Sequence, residues 1–337
     1  MSAETVGGLG EKALLERIFP RLGPVTALLG PGDDAAIIAA PDGRTVISID
    51  TLVQDADFRL EWPSGYRSTG FDVGWKCAAQ NLSDINAMGA TPTSLVVSLT
   101  LPPDTLVSWV EALADGLAAA VSSLTADAGR CSVAGGDLGR GRQIVVTAAV
   151  TGDLAGRSPV LRSGARPGDI VAHCGALGLA AGGLAVLESP QSVINMADPG
   201  KAEDQELAGL AMAQCRPRPV LNGPAAAQAG ATAMLDVSDG LVRDAGRIAA
   251  ASGVRIDLDA ATLAERAARL APAAARLKAD PLSWVLAGGE DHGLLATFGP
   301  EAELPQGFAP IGRVLRGTGV TVGGAAPSSV GWDHFGG

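Results

Sequence analysis

Six short acidic motifs carry most of the chemistry open to this chain. They are Gly30-Pro31-Gly32-Asp33-Asp34, Ser48-Ile49-Asp50-Thr51, Asn81-Leu82-Ser83-Asp84, Gly135-Gly136-Asp137, Asp236-Val237-Ser238-Asp239-Gly240 and Gly288-Gly289-Glu290-Asp291. Each sets a carboxylate beside glycines or small residues at the end of a predicted element. Carboxylates are hard oxygen ligands, and Mg²⁺ takes one or two of them while water and substrate phosphates complete its shell. Several carboxylates around a polyphosphate would repel it unless divalent ions lie between them. Glycines beside them let backbone N–H groups approach phosphate oxygens, and the Asp236–Gly240 motif opens a predicted helix, whose N-terminus favours an anion. Any one of these acids alone reads as a turn residue or a helix cap. The six together point to a metal-dependent phosphate site.

The other polar candidates are sparser. Arg162 offers a planar fork for phosphate, or else a surface ion pair. His173 sits in an apolar strand and reads as a core histidine, whereas His292 directly follows Glu290-Asp291. Trp332, in Gly331-Trp332-Asp333-His334-Phe335, reads as packing or as a stacking surface for a flat cationic ligand. Neither Gly-x-x-x-x-Gly-Lys-Ser/Thr nor Gly-x-Gly-x-x-Gly occurs, so a P-loop enzyme and a conventional dinucleotide-binding dehydrogenase have little support.

The elements that must position these residues alternate between strand and helix. Strands are predicted at 45–49, 93–101, 143–151, 169–173 and 233–236. Helices are predicted at 64–88, 104–128 with Asp104 as N-cap, 179–188, 206–215 and 241–251, and near Pro224. This pattern gives α/β layers. A polar Gly/Pro-rich stretch over 152–168 divides the chain into domains of residues 1–155 and 156–337. The 337 residues include 45 Gly but only one Tyr, so the core should be aliphatic and closely packed. A net charge of −11 argues against nucleic acid and anionic membrane surfaces as partners. Cys77, Cys131, Cys174 and Cys215 have no metal-ligand spacing and read as free thiols in a reducing compartment. Glu4 and Glu11, with no apolar run, do not read as a leader, and the apolar stretch 170–187 reads as strand, Gly-rich turn and buried helix. A cytoplasmic protein is expected.

In this order, the motifs resemble those of the thiamine-monophosphate kinase family, within the aminoimidazole ribonucleotide synthetase-like superfamily. Gly32-Asp33-Asp34, Asp50-Thr51-Leu52-Val53, the run 81–90, Gly135-Gly136-Asp137, Arg162-Ser163-Gly164-Ala165, Asp236–Gly240, Gly288–Asp291 and the 331–335 tail carry the resemblance, which runs from about Gly30 to Phe335. It implies a two-domain α/β fold whose N-terminal sheet pairs across a homodimer, with ATP and several Mg²⁺ ions in the cleft between domains. It implies transfer of the ATP γ-phosphoryl group to thiamine monophosphate. Carried over by position, Asp34, Ser48, Ile49, Asp50, Asp84, Asp137, Asp236 and Asp239 look like metal ligands, Ser48 and Ile49 through backbone carbonyls. Gly136, Asp137, Arg162 and Ser238 look like ATP contacts, and Asp57, Glu290 and Trp332 like contacts for the thiamine moiety. Asp84, Asp137, Arg162 and Asp239 are the expected catalytic set. Three positions depart from the family pattern: Ile49 where Thr is common, Asp57 where His is common, and His292-Gly293 where Tyr-Glu is common. The rival readings are a cyclising ligase of the same superfamily and a catalytically silent nucleotide binder.

Overall fold

The computed structural model describes residues 4–30, 35–126, 131–192 and 202–332. Asp33, Asp34 and the Asp333-His334-Phe335 end of the tail motif lie outside them. The chain forms two compact units. The first comprises the described residues of 1–62, 66–85 and 91–156, and the second those of 63–65, 86–90 and 157–337.

The first unit contains α1 (Val6–Leu9), α2 (Glu11–Ile18), β1 (Val46–Val53), α3 (Gly70–Ala87), β2 (Thr91–Leu101), α4 (Val107–Leu124), β3 (Ser132–Arg140) and β4 (Val145–Asp153). Its sheet runs β1-β4-β2-β3, antiparallel except for the parallel β2–β3 pair. Alternation along β4 sets the two faces. Val146, Ala148 and Val150 are buried, while Thr147, Ala149 and Thr151 are only half-buried. The covered face packs on α3 and α4, and those helices meet at backbone contact: a Cβ on Gly74 would lie 2.1 Å from the Leu113 carbonyl oxygen. α4 is long and apolar enough to cross a membrane. Here Val110, Leu113, Leu117 and Val121 bury it as a core helix.

Two sequence expectations are corrected in this unit. α4 starts at Val107 rather than at Asp104, and Leu106 is its N-cap. The N-terminal segment holds Leu106 extended, because it bridges Thr5 and the Val107 N–H donates to the Glu4 carbonyl at 3.1 Å, while Asp104 lies in a turn closed by the Thr105 N–H on the Pro102 carbonyl. Gly135-Gly136-Asp137 does not stand at the end of an element. It lies within β3, where Gly136 pairs with Val97 of β2.

The second unit contains β5 (Ile170–Cys174), α5 (Leu179–Glu188), α6 (Ala202–Cys215), α7 (Gly223–Gln228), β6 (Ala233–Val237), α8 (Leu241–Ser252), β7 (Arg255–Leu258), α9 (Ala260–Ala268), α10 (Ala271–Leu277), α11 (Pro281–Ala287), β8 (Gly293–Phe298), β9 (Phe308–Leu315) and β10 (Gly319–Val322). Its sheet order is β10-β7-β9-β5-β8-β6. Every residue of β6 and β8 is buried, as in strands covered on both faces. The stretch 170–187 is the strand, turn and helix expected of it. α8 stops where Gly253 takes the left-handed conformation (φ 66°) and its N–H caps the last turn.

Candidate active site

In the first unit, β1 points Ser48 and Asp50 at the covered face and Ile47, Ile49 and Thr51 at the open one. The Ser48 hydroxyl donates to Asp84 Oδ2 at 2.6 Å, tying the strand to α3. Asp84 and the fully buried Cys77 lie two turns apart on α3, hence on one helical face. Burial pushes the Cys77 thiol up to about 12, and the nearby Asp50 charge adds to the shift. Ser48, Asp50 and Asp84 therefore share one face of the sheet. The Ile49 side chain is 66% exposed on the other face, so only its backbone could ligate a metal.

Asp137 does not join that group. Across the sheet it is level with Ser98, Thr147 and Thr51, a row of half-buried or exposed residues on the open face. Three strand spacings of about 4.8 Å put it ~14 Å from β1. Gly136 is required by packing: a Cβ there would lie 2.1 Å from the Val97 carbonyl oxygen. Beside it, Gly30, Ala35, Ile49, Val96, Ser98 and Asp137 are among the residues lining an open-face concavity of about 610 Å³. Asp57 closes the turn after β1, its Oδ2 accepting the Val53 N–H at 2.7 Å. The buried Lys76 ammonium donates to the Asp57 carbonyl at 3.1 Å.

In the second unit, β6 delivers Asp236 and Ser238 to a loop that leads into α8. A second turn runs along this loop. The Glu290 N–H donates to the Ser238 carbonyl at 2.8 Å, and the His292 N–H to the Val237 carbonyl at 3.1 Å. Glu290 and His292 both take left-handed backbone (φ 65° and 52°), an uncommon conformation for side-chain-bearing residues that gathers at functional sites. Between them, the buried Asp291 carboxylate accepts the N–H groups of Gly178 (2.5 Å) and Ala180 (2.8 Å), which fixes the turn to the start of α5. Burial holds Asp291 up to about 6, against those N–H groups. The Glu290 carboxylate accepts from the Gln214 amide. His292 Nδ1 lies 3.2 Å from Asp236 Oδ2. The tail closes onto the same loop. The Trp332 N–H donates to the Asp239 carbonyl at 2.9 Å, and a Cβ on Gly331 (φ 115°) would lie 2.4 Å from that oxygen. The Trp332 side chain is 62% exposed.

Sequence reasoning missed Asp244 and Arg247. Asp244 Oδ2 accepts the Asp239 and Gly240 N–H groups at 3.0 and 3.1 Å, while Arg247 donates to both the Asp244 and Asp239 carboxylates. Burial pushes Asp244 up to about 6, opposed by the Asp239 N–H and Arg247. Their spacing of three on a helix was the available signal.

Arg162 is exposed, and the preceding Leu161 carbonyl accepts the Met234 N–H of β6, two residues before Asp236. The Arg162 carbonyl accepts from Ser252, at the far end of α8, ~16 Å along the helix axis from Leu241. His173 is a core residue, as read. Its Nδ1 stands 3.3 Å from Arg266 Nη1, and burial, then the Arg266 charge, holds it neutral, down to about 3. Among the described residues no three His, Cys, Asp or Glu side chains form a ready-made metal cage. The donors present are carboxylates and hydroxyls in ones and twos, which suits Mg²⁺ completed by phosphates and water rather than Zn²⁺.

The same succession of motifs is found in known proteins. A curated thiamine-monophosphate kinase of Mycobacterium tuberculosis is 46% identical over 339 residues, covering 98% of this chain and 93% of its own length. The chain belongs to the thiamine-monophosphate kinase family. Residues 32–154 also match the family described as AIR synthase related protein, N-terminal domain. Among kinases of solved structure, the thiamine-monophosphate kinase of Stenotrophomonas maltophilia K279a is 32% identical with a TM-score of 0.74, over 95% of this chain and 98% of that one. The chain described as AaThiL complexed with AMPPCP and TMP is 31% identical with a TM-score of 0.73, over 97% of each.

Proposed function

We propose that this chain transfers the γ-phosphoryl group of ATP to thiamine monophosphate, yielding thiamine diphosphate and ADP, with Mg²⁺ at the acidic motifs. The observation that carries this reading is the 46% identity to a thiamine-monophosphate kinase over nearly the whole chain. The related chain complexed with AMPPCP and TMP supports both ligands.

The acceptor is itself a phosphate monoester, anionic at neutral pH because its second pKa is about 6. It needs no general base, in keeping with a chain of only three histidines. The obstacle is the approach of two anions, and when bound, Mg²⁺ would offset their charge. Asp84, aligned by Ser48, and Asp50 would hold metal in the first unit. Asp236 and Asp239 would hold it in the second, with Asp34 added from outside the described residues. Gly136, Asp137, Arg162 and Ser238 would bind ATP. Glu290, oriented by Gln214, and Trp332 would receive the thiamine moiety. Asp57 is committed to its turn and would offer thiamine only its remaining oxygen.

The reading includes a homodimer closed through the open face of the first unit's sheet. Ile47 and Ile49 on that face are 69% and 66% exposed, beside Val96 at 42%. It also includes a soluble, cytoplasmic protein, supported by the burial of α4.

The test incubates the protein with ATP, Mg²⁺ and thiamine monophosphate and separates the products by chromatography. Thiamine diphosphate and ADP in equal amounts, abolished by a chelator, are expected. ADP with free phosphate alone would overturn the assignment of the acceptor.

A further inference from the structure

Asp239 is gripped at three points within the second unit. Its N–H donates to Asp244 Oδ2 at 3.0 Å, its carbonyl accepts the Trp332 N–H at 2.9 Å, and its carboxylate Oδ2 accepts from Arg247 Nη2. Arg247 also donates through Nη1 to Asp244 Oδ1 at 2.5 Å, so one guanidinium bridges two carboxylates. Asp244 is wholly buried and takes the Gly240 N–H as well, at 3.1 Å. The two bridging residues stand three apart on α8, on one helical face. Asp239 Oδ1 has no protein partner among the described residues.

We propose that Asp244 and Arg247 are positioning residues that hold Asp239 ready for the magnesium–nucleotide complex. The proposal rests on the reading of Asp239 as a metal ligand. The physical case is preorganisation. A carboxylate on a free loop residue would have to be ordered when metal binds. Here its backbone is fixed at both peptide groups, and its side chain is fixed through one oxygen while the other stays available. Arg247 also removes the repulsion between Asp239 and the buried Asp244, which would otherwise drive the loop apart. Lysine could not replace it fully, because a single ammonium cannot span both acids with the same fork.

The test measures Mn²⁺ binding by electron paramagnetic resonance with AMPPCP present, for the wild type, R247M, R247K, D244N and D239N. Circular dichroism and thermal melts report folding. R247M is expected to weaken Mn²⁺ binding about 10- to 100-fold, as loss of an outer-shell partner does. Its turnover at saturating Mg²⁺ should stay within about threefold, because the ligand itself remains. R247K should fall between R247M and wild type, and D244N should behave like R247M. Equal or tighter Mn²⁺ binding by R247M would mean that Arg247 only competes with the metal, and would overturn the proposal. Should R247M not fold, R247K decides: weakened binding supports the proposal and wild-type binding overturns it. D239N separates the two levels. If D239N loses metal while the Arg247 variants keep it, positioning alone fails. If all bind as wild type does, the ligand assignment fails with it.

Discussion

The two units bring their acids to work by different means. In the first, the acids sit on regular elements, so strand register decides which side chains can meet. Ser48 and Asp50 share a face with Asp84, while Asp137 stands on the other face, three strands away. In the second, loops are drawn together by backbone hydrogen bonds from Glu290, His292 and Trp332, while Arg247 bridges Asp239 and Asp244 and the His292 ring faces Asp236. A rigid sheet separates acids that a loop cluster can converge. Asp137 therefore cannot share one ion with Asp50 and Asp84 of the same copy, whereas Asp236, near the end of β6, and Asp239, in the loop that follows, stand three residues apart.

The strongest way to break this comparison is at Asp84. D84N should lower turnover by about two to three orders of magnitude, since metal-assisted charge stabilisation contributes several kcal/mol. Its melting temperature should stay within a few degrees of wild type, and steady-state kinetics with a thermal melt would check both. Near-normal turnover at limiting Mg²⁺ would remove the first unit from the metal site. Next is the open sheet face. I49R should weaken self-association about 100-fold or more by burying an unpaired charge, read by sedimentation velocity. An unchanged sedimentation coefficient would leave that face without its proposed partner. A smaller effect is expected at Gly331. G331A places a methyl group 2.4 Å from the Asp239 carbonyl oxygen at a left-handed φ, and should raise the KM for thiamine monophosphate about tenfold through strain of 1–3 kcal/mol order. An unchanged KM would show that the tail is not held by this loop. A last effect, on stability rather than on turnover or assembly, is at the buried His173. Folded, it stays neutral down to about pH 3, whereas unfolded it protonates near 6.5. The unfolded state binds the extra proton in that window, so stability should fall by about 1.4 kcal/mol for each unit of acidification. H173Q should show a shallower slope in denaturant melts between pH 6.5 and 4. An unchanged slope would place the proton uptake elsewhere.

The second unit was legible in the sequence as far as α8, while the strands and helices after it were not anticipated. α5 falls on 179–188 as read, and α8 runs one residue past the expected 241–251 to its Gly253 cap. The first unit was legible where residues declare themselves locally, as at Asn81–Asp84 on α3. It was not legible at β3, because Gly135-Gly136-Asp137 has low strand propensity and is held by a parallel ladder to β2 and a bulge after Leu95. That register is a long-range fact, and it alone reveals which face Asp137 occupies. Likewise Asp104 has the chemistry of a cap, but the pairing of residues 4–5 with 106–107 moved the helix start. Asp137, Asp239 and Asp291 stood out by their glycine neighbours, and Asp50 and Asp84 by small polar ones. Their supports, Asp244, Arg247 and Gln214, were not, because a polar residue on an amphipathic helix looks the same whether it faces water or a carboxylate.

The hydrogen bond from Trp332 to Asp239 also matters to anyone handling the protein. Whatever is attached on the C-terminal side of Trp332 hangs from the same peptide that grips Asp239. An affinity tag or fluorescent fusion placed there is tethered close to that grip, so a loss of turnover on tagging is to be checked against the untagged protein before it is read as a defect in catalysis. A probe attached there would for the same reason report on the loop, which makes that end a poor handle for purification and a good one for sensing.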